Sequence, residues 1–438
     1  MSLNSKNQNL IFRLFLLGLL SLAFSACTLR ARQKTEVQNK DKNEKATILV
    51  EKNMAAPELT DAGEQLVTPY TFMLADRTFS MALEKDPAQA KAQFYKAFLK
   101  RFMVLRGIFA RIRPLVEKVG DVKEFNETLH NIPNSPLKQF LLDGKPDITN
   151  AATAQNFLSQ YVHAVNYFRE FLLSNPELNF AINLNPYLFD EHLKDEWGKT
   201  CQLIPDEEAI FRVECNPKDI ATRKINSADL LVLRQIAAGE ILALSFYTSY
   251  SWDGYEHLAS INEWSKLDYQ AQLQLVNKEP NFLSLRPDHV MGLWHKIGQD
   301  FVAAIQMVDA HQDELCPQGM MHPELDQRKG YLFSKGLCLP TDIQSQDERQ
   351  KALAGIERAL QGSFPYQVTK DVGTDKETEY NTILDPLAWS RRPVLDLKTL
   401  IPKNQPSCGQ KTQFPDPTLG GLLPKGDAAE LFSPAACE

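Results

Sequence analysis

Phe246, Tyr247, Tyr250, Trp252, Asp253 and Tyr255 come nearest to a binding site in this chain. Rings stack on sugars and on apolar side chains, while phenolic and carboxylate oxygens orient the ligand. The ligand that suits Tyr247, Tyr250, Trp252, Asp253 and Tyr255 is therefore a glycan or a peptide. Such rings at a helix end also suit a core. The two uses differ in exposure, because a cleft leaves rings half open and a core closes them.

Other candidate chemistry is thinner. Glu256 and His257 beside Asp253 offer acid and base in one short stretch, but also suit an ordinary wet surface. His289 and His295 lie six apart, about 120° round a helix, so they do not share a face. Asp309 and Asp313 share one, but His311 stands about 200° from Asp309. The run Asp371 to Glu379 has the acidic spacing of a calcium loop. Lys376 and Thr382 occupy the places of its invariant Gly and bidentate Glu, which argues against calcium. The sequence lacks a phosphate-binding Gly-rich loop, a His-Glu-x-x-His pair and a nucleophile elbow. No catalytic residue, cofactor or metal is assigned.

The N-terminus is more specific. Residues 1–13 carry Lys6, Arg13 and no acid, and residues 14–24 are uncharged and largely apolar. This run of about eleven residues is too short for a bilayer core, which takes about 20. It closes on Phe24-Ser25-Ala26-Cys27. The layout resembles a bacterial lipoprotein signal peptide with its lipobox, Leu-(Ala/Ser)-(Gly/Ala)-Cys. Ser25, Ala26 and Cys27 match, and Phe24 stands where Leu is usual. The resemblance covers residues 1–27. It implies cleavage before Cys27, diacylglycerol on the sulfur and an acyl chain (palmitate) on the new amine. Two or more chains anchor stably where one does not. By the sorting rule of enterobacterial lipoproteins, Thr28 in place of Asp implies the outer membrane, facing the periplasm.

The cysteines agree with that address. There are seven, and lipidation of Cys27 leaves six in an oxidising compartment. Six allow 15 pairings. They fall into three local couples, Cys201–Cys215, Cys316–Cys338 and Cys408–Cys437, and short loops close at least entropic cost. Their gaps are too wide for the Cys-x2–4-Cys spacing of a zinc site.

Losing Lys6 and Arg13 takes the formal charge from −7 to −9, which argues against nucleic-acid binding. The apolar fraction of 43%, with 24 Phe, supports a sizeable core. Residues 27–60, the lipidated cysteine and a charged stretch poor in aromatics, read as a flexible tether. Helical periodicity then dominates over residues 62–83, 88–119 (with Pro114 as a kink), 151–174, 227–250, 287–314 and 347–361. The stretch 227–250 is apolar on most sides, which marks a central buried helix. Arg234 and Glu240 within it argue against a membrane span, and Ser227 or Asp229 is the expected cap. Residues 180–184 and 394–398 alternate as short strands do, each before a Pro-bearing turn at 185–188 and 399–402. The last forty residues are rich in Pro and read as irregular structure. Ala82 to Ala97, with Asp86-Pro87 between two helical runs, resembles a tetratricopeptide-repeat junction. No copy follows 34 residues on, so an ordinary helical hairpin is the stronger reading.

The expected fold is mainly α, a multi-helix bundle or helical-hairpin array with a minor β element. The expected order is signal peptide (1–26), tether (27–60), helical domain (61–365) and a disulfide-stapled C-terminal segment (366–438) packed on it. The expected function is a noncatalytic scaffold or binding module of the cell envelope, with an envelope protein or glycan as partner. The alternatives are a solute- or glycan-binding partner of a transporter, and a cell-wall enzyme using carboxylates such as Asp253 and Glu256.

Overall fold

A computed structural model describes residues 46–51, 53–67, 71–119, 122–131, 136–184, 201–204, 211–215, 221–261, 264–310, 354–355, 357–358, 362–371, 377–405 and 410–432. The fold is mainly α. The chain opens with β1 (Ala46–Val50), followed by α1 (Ala56–Gln65), α2 (Phe72–Lys85), α3 (Ala90–Leu105), α4 (Ile108–Val119), α5 (Val122–Asn131), α6 (Pro136–Leu142) and α7 (Ala151–Ser174). Four short strands come next: β2 (Phe180–Leu184), β3 (Cys201–Ile204), β4 (Phe211–Cys215) and β5 (Ala221–Ile225). Then come α8 (Ser227–Ser249), α9 (Tyr255–Ser260), α10 (Tyr269–Lys278) and α11 (Trp294–Ala310). Beyond them lie β6 (Phe364–Asp371), β7 (Glu377–Leu384), α12 (Ala388–Arg391) and α13 (Ala428–Phe432).

The main helices form a chain of neighbours: α1 packs on α2, α2 on α3, α3 on α7, α7 on α8 and α8 on α11. The junction at Asp86-Pro87 is thus the turn of an α2–α3 hairpin. Sequence periodicity explains the packing. Phe72, Ala75, Phe79 and Ala82 form the buried stripe of α2, and Phe157, Tyr161, Val165, Phe168 and Leu172 that of α7. Helix α8 is buried along most of its length, through Leu230, Leu233, Ala237, Ala238, Ile241 and Leu244. It is capped by Asn226, whose side chain accepts from the Asp229 amide while Asp229 accepts from the Asn226 amide. The expected cap at Ser227 or Asp229 is corrected by one position, with Asp229 as the reciprocal partner.

Two helical runs are broken where the sequence reads continuous. Residues 62–83 divide after Gln65: α1 ends there, the Leu66 carbonyl accepts from the Thr71 hydroxyl (2.7 Å), and α2 begins at Phe72. Residues 88–119 divide at Arg106-Gly107, not at Pro114, which lies inside α4. Gly107 has φ +66°, and a Cβ on it would come 2.3 Å from the Cα of Gly144. This close backbone crossing admits only glycine and turns the chain between α3 and α4.

The tether boundary at residue 60 is also corrected. β1 pairs antiparallel with β4, Val50 is fully buried and Leu59 of α1 is fully buried. The charged composition hid this, because the apolar residues in this stretch are few.

Of the two expected strands, 180–184 forms and pairs with Ala221–Ile225. Residues 394–398 do not form one. They make a single bridge, Ser284 to Asp396, and then a 3-10 turn capped by the Asp396 carboxylate. The C-terminal region is not irregular throughout: β6 and β7 make an eight-residue antiparallel pair, and α13 is helical. The segment after β7 lies along residues 269–285. The Leu285 amide donates to Leu395, the Leu397 amide to Leu283 and the Tyr269 hydroxyl to Pro402. The lipobox, Cys316, Cys338, Cys408, Cys437, the turn 185–188, residues 311–314 and most of the helix expected at 347–361 lie outside the described residues.

Candidate functional site

The aromatic stretch straddles the C-terminus of α8. Gln155 of α7, itself buried, organises this end: its side-chain amide donates to the Tyr247 carbonyl (2.8 Å) and the Tyr250 carbonyl (2.5 Å). Its side-chain oxygen accepts from the Trp252 amide (3.3 Å). One side chain thus satisfies carbonyls that a helix end leaves without partners.

The rings do not share one cleft. Tyr247 and Trp252 meet edge to face, 6.3 Å between centroids, and pack against the main core. Tyr250 belongs to a second cluster with Phe246, Met291, Trp294, Trp389 and Leu397, and is 1% exposed. Burial pushes its phenol up to about 12. Tyr255 is half-buried, and burial, then the nearby Glu256, raises its phenol too. Asp253 is exposed on the turn before α9. Replacing Tyr250 with Ala is expected to cost about 3–5 kcal/mol, as large aromatic deletions in cores do. A thermal melt checks it; an unchanged melting temperature would place the ring outside the core.

The acid–base group is dispersed as well. Glu256 accepts from the Ala151 amide at the N-terminus of α7, where a carboxylate is favoured by the helix dipole. His257 pairs through Nδ1 with Glu279 (2.5 Å). Gly254, at φ +87°, makes this approach: a Cβ there would come 2.4 Å from Glu279 Oε2. Among the described residues, no group of three His, Cys, Asp or Glu is placed to hold a metal ion.

The densest polar constellation lies inside the helix array. Arg101 of α3 donates to both Glu240 oxygens (2.9 and 3.2 Å), and the Tyr161 hydroxyl donates to Glu240 Oε2 (3.1 Å). Toward the N-terminus of α8, Asp300 of α11 receives Arg169 Nε (3.0 Å) and Arg234 Nη2 (2.5 Å). Arg169 reaches on to Asn166 and Glu170 (3.1 and 2.9 Å). All of Arg101, Tyr161, Arg169, Arg234, Glu240 and Asp300 are buried. Burial raises the Glu240 carboxyl, and Arg101 and the Tyr161 hydroxyl pull against that. Burial also raises the Tyr161 phenol, with Arg101 opposing and Glu240 adding.

This constellation ties α3, α7, α8 and α11 together through charges. In the sequence Arg234 and Glu240 stood out only as obstacles to a membrane span, without their three partners Asp300, Arg101 and Tyr161. A signal existed: Arg169 follows Val165 by four residues and so falls on the buried face of α7. Six charged or phenolic groups that are all buried fix helix register more readily than they meet a solute.

Comparison with family models, curated proteins and solved structures finds no match for this chain.

Proposed function

We propose that this chain is a lipid-anchored envelope protein whose helical body acts as a noncatalytic scaffold or binding module. The observation that carries the proposal is Cys27, at the end of an uncharged apolar run and preceded by Ser25-Ala26. Two structural features support it. The one helix among the described residues long and apolar enough to cross a bilayer lies within α8, and that stretch is mostly buried against other helices, with Arg234 and Glu240 ion-paired. A buried, ion-paired helix of this kind supports attachment through the lipid. The first described element is β1, and residues 28–45 between it and Cys27 reach at most about 60 Å when extended. The body thus works close to its membrane, and Thr28 favours the outer membrane, facing the periplasm. The candidate partner is an envelope protein or a glycan.

Palmitate labelling tests the anchor. The wild-type chain is expected to incorporate label and fractionate with membranes, and Cys27→Ala to do neither. Equal labelling of both, or a soluble wild-type product, would refute the proposal.

A further inference from the structure

The sheet at the start of the body brings two cysteines to one register position. β1, β4 and β3 lie side by side in that order, all antiparallel. Cys215 on the central strand is paired with Cys201 on one side and with Ala46 on the other. Directly opposed residues of antiparallel strands have Cα atoms about 4.5–5.5 Å apart. A disulfide spans Cα atoms about 4.4–6.8 Å apart, so the register meets its requirement without backbone movement.

Alternation along the strands assigns each residue to a face. One face carries Ala46, Ile48, Val50, Phe211, Val213, Cys215, Cys201 and Leu203, all apolar or thiol. The other carries Thr47, Arg212, Glu214 and Gln202 along with Leu49 and Ile204. Val50, on the same face by register, is fully buried in the main core.

We infer that Cys201 and Cys215 form a cross-strand disulfide, fixing β3 to β4 beside β1. Sequence spacing selects this couple only for the shortness of its loop. The register is an independent ground and adds the bond's position. The inference rests on the extracytoplasmic reading above, because a disulfide donor must be present. A donor protein's disulfide exchanges with the two thiols: one S–S bond forms here, one breaks in the donor, and the donor leaves as a dithiol carrying the two electrons and two protons. The closed loop removes freedom from the unfolded chain, worth about a hundredfold in the unfolding equilibrium.

The full-length protein, extracted from membranes with free thiols blocked by N-ethylmaleimide in denaturant, is digested without reduction. The expected product is a Cys201 peptide linked to a Cys215 peptide, lost on dithiothreitol treatment. N-ethylmaleimide on Cys201 and Cys215, or either linked elsewhere, would overturn the inference. The same digest shows whether the Cys27 peptide carries lipid. Lipid at Cys27 with both thiols blocked refutes the disulfide alone, whereas no lipid with both thiols blocked refutes the envelope reading and the disulfide with it.

Discussion

Asp300→Ala should destabilise the protein by about 3–5 kcal/mol, the usual cost of removing one partner from a buried ion pair. Asp300 faces two guanidinium groups, Arg169 at 3.0 Å and Arg234 at 2.5 Å. Arg169 retains Glu170 and Asn166 when Asp300 is lost. Arg234, buried in the middle of α8, is left with its charge in an apolar setting. The cost comes from that stranded charge more than from the lost attraction. Asp300→Asn should cost less, because an acceptor oxygen remains, and replacing Asp300, Arg169 and Arg234 together by apolar residues of similar size should recover much of the loss. The comparison is Glu127→Ala, whose partner Lys123 is 92% exposed at 3.8 Å and whose loss should stay within about 0.5 kcal/mol. Denaturant titration of the four variants checks the order. If Asp300→Ala costs no more than Glu127→Ala, the network does not hold the helices in register.

A chain beginning at residue 61 should be substantially less stable than one beginning at residue 46. The longer chain keeps β1 and all of α1, and should melt as a chain beginning at residue 28 does. The shorter one loses β1, the first half of α1 and with them Val50 and Leu59, both fully buried. Those two side chains alone account for about 3–6 kcal/mol of burial. The shorter chain also loses the Met54 carbonyl that accepts Lys85 Nζ at 2.7 Å, and leaves β4 with an open edge. Equal melting temperatures for the two chains would restore residue 60 as the tether boundary.

Much of the helical core was legible because it rests on local periodicity. α7 and α8 match their apolar stripes almost residue for residue, since 3.6-residue spacing records which face is buried. Breaks were less legible. Arg106-Gly107 ends a helix because Gly107 must pass the backbone of Gly144, a residue 37 positions away that no local window contains. The strand 394–398 failed for a related reason: alternation allows a strand, but its neighbour at 283–285 offers one bridge and then a turn. β6 and β7 went unread because Pro365 and the charged run after Asp371 look like loop.

The sequence by itself determined the helical class and the presence of charges in an otherwise apolar helix, because composition and spacing are local properties. The tertiary structure alone decided what Arg234 and Glu240 are for, since their partners Asp300 and Arg101 lie 66 and 139 residues away. It also decided how the aromatic stretch is used: Tyr250 is closed off by Trp294 and Trp389, while Tyr247 and Trp252 turn to a different core. A ring's identity fixes what it is able to bind, but its exposure depends on which distant elements close over it, and that is a property of the assembled fold.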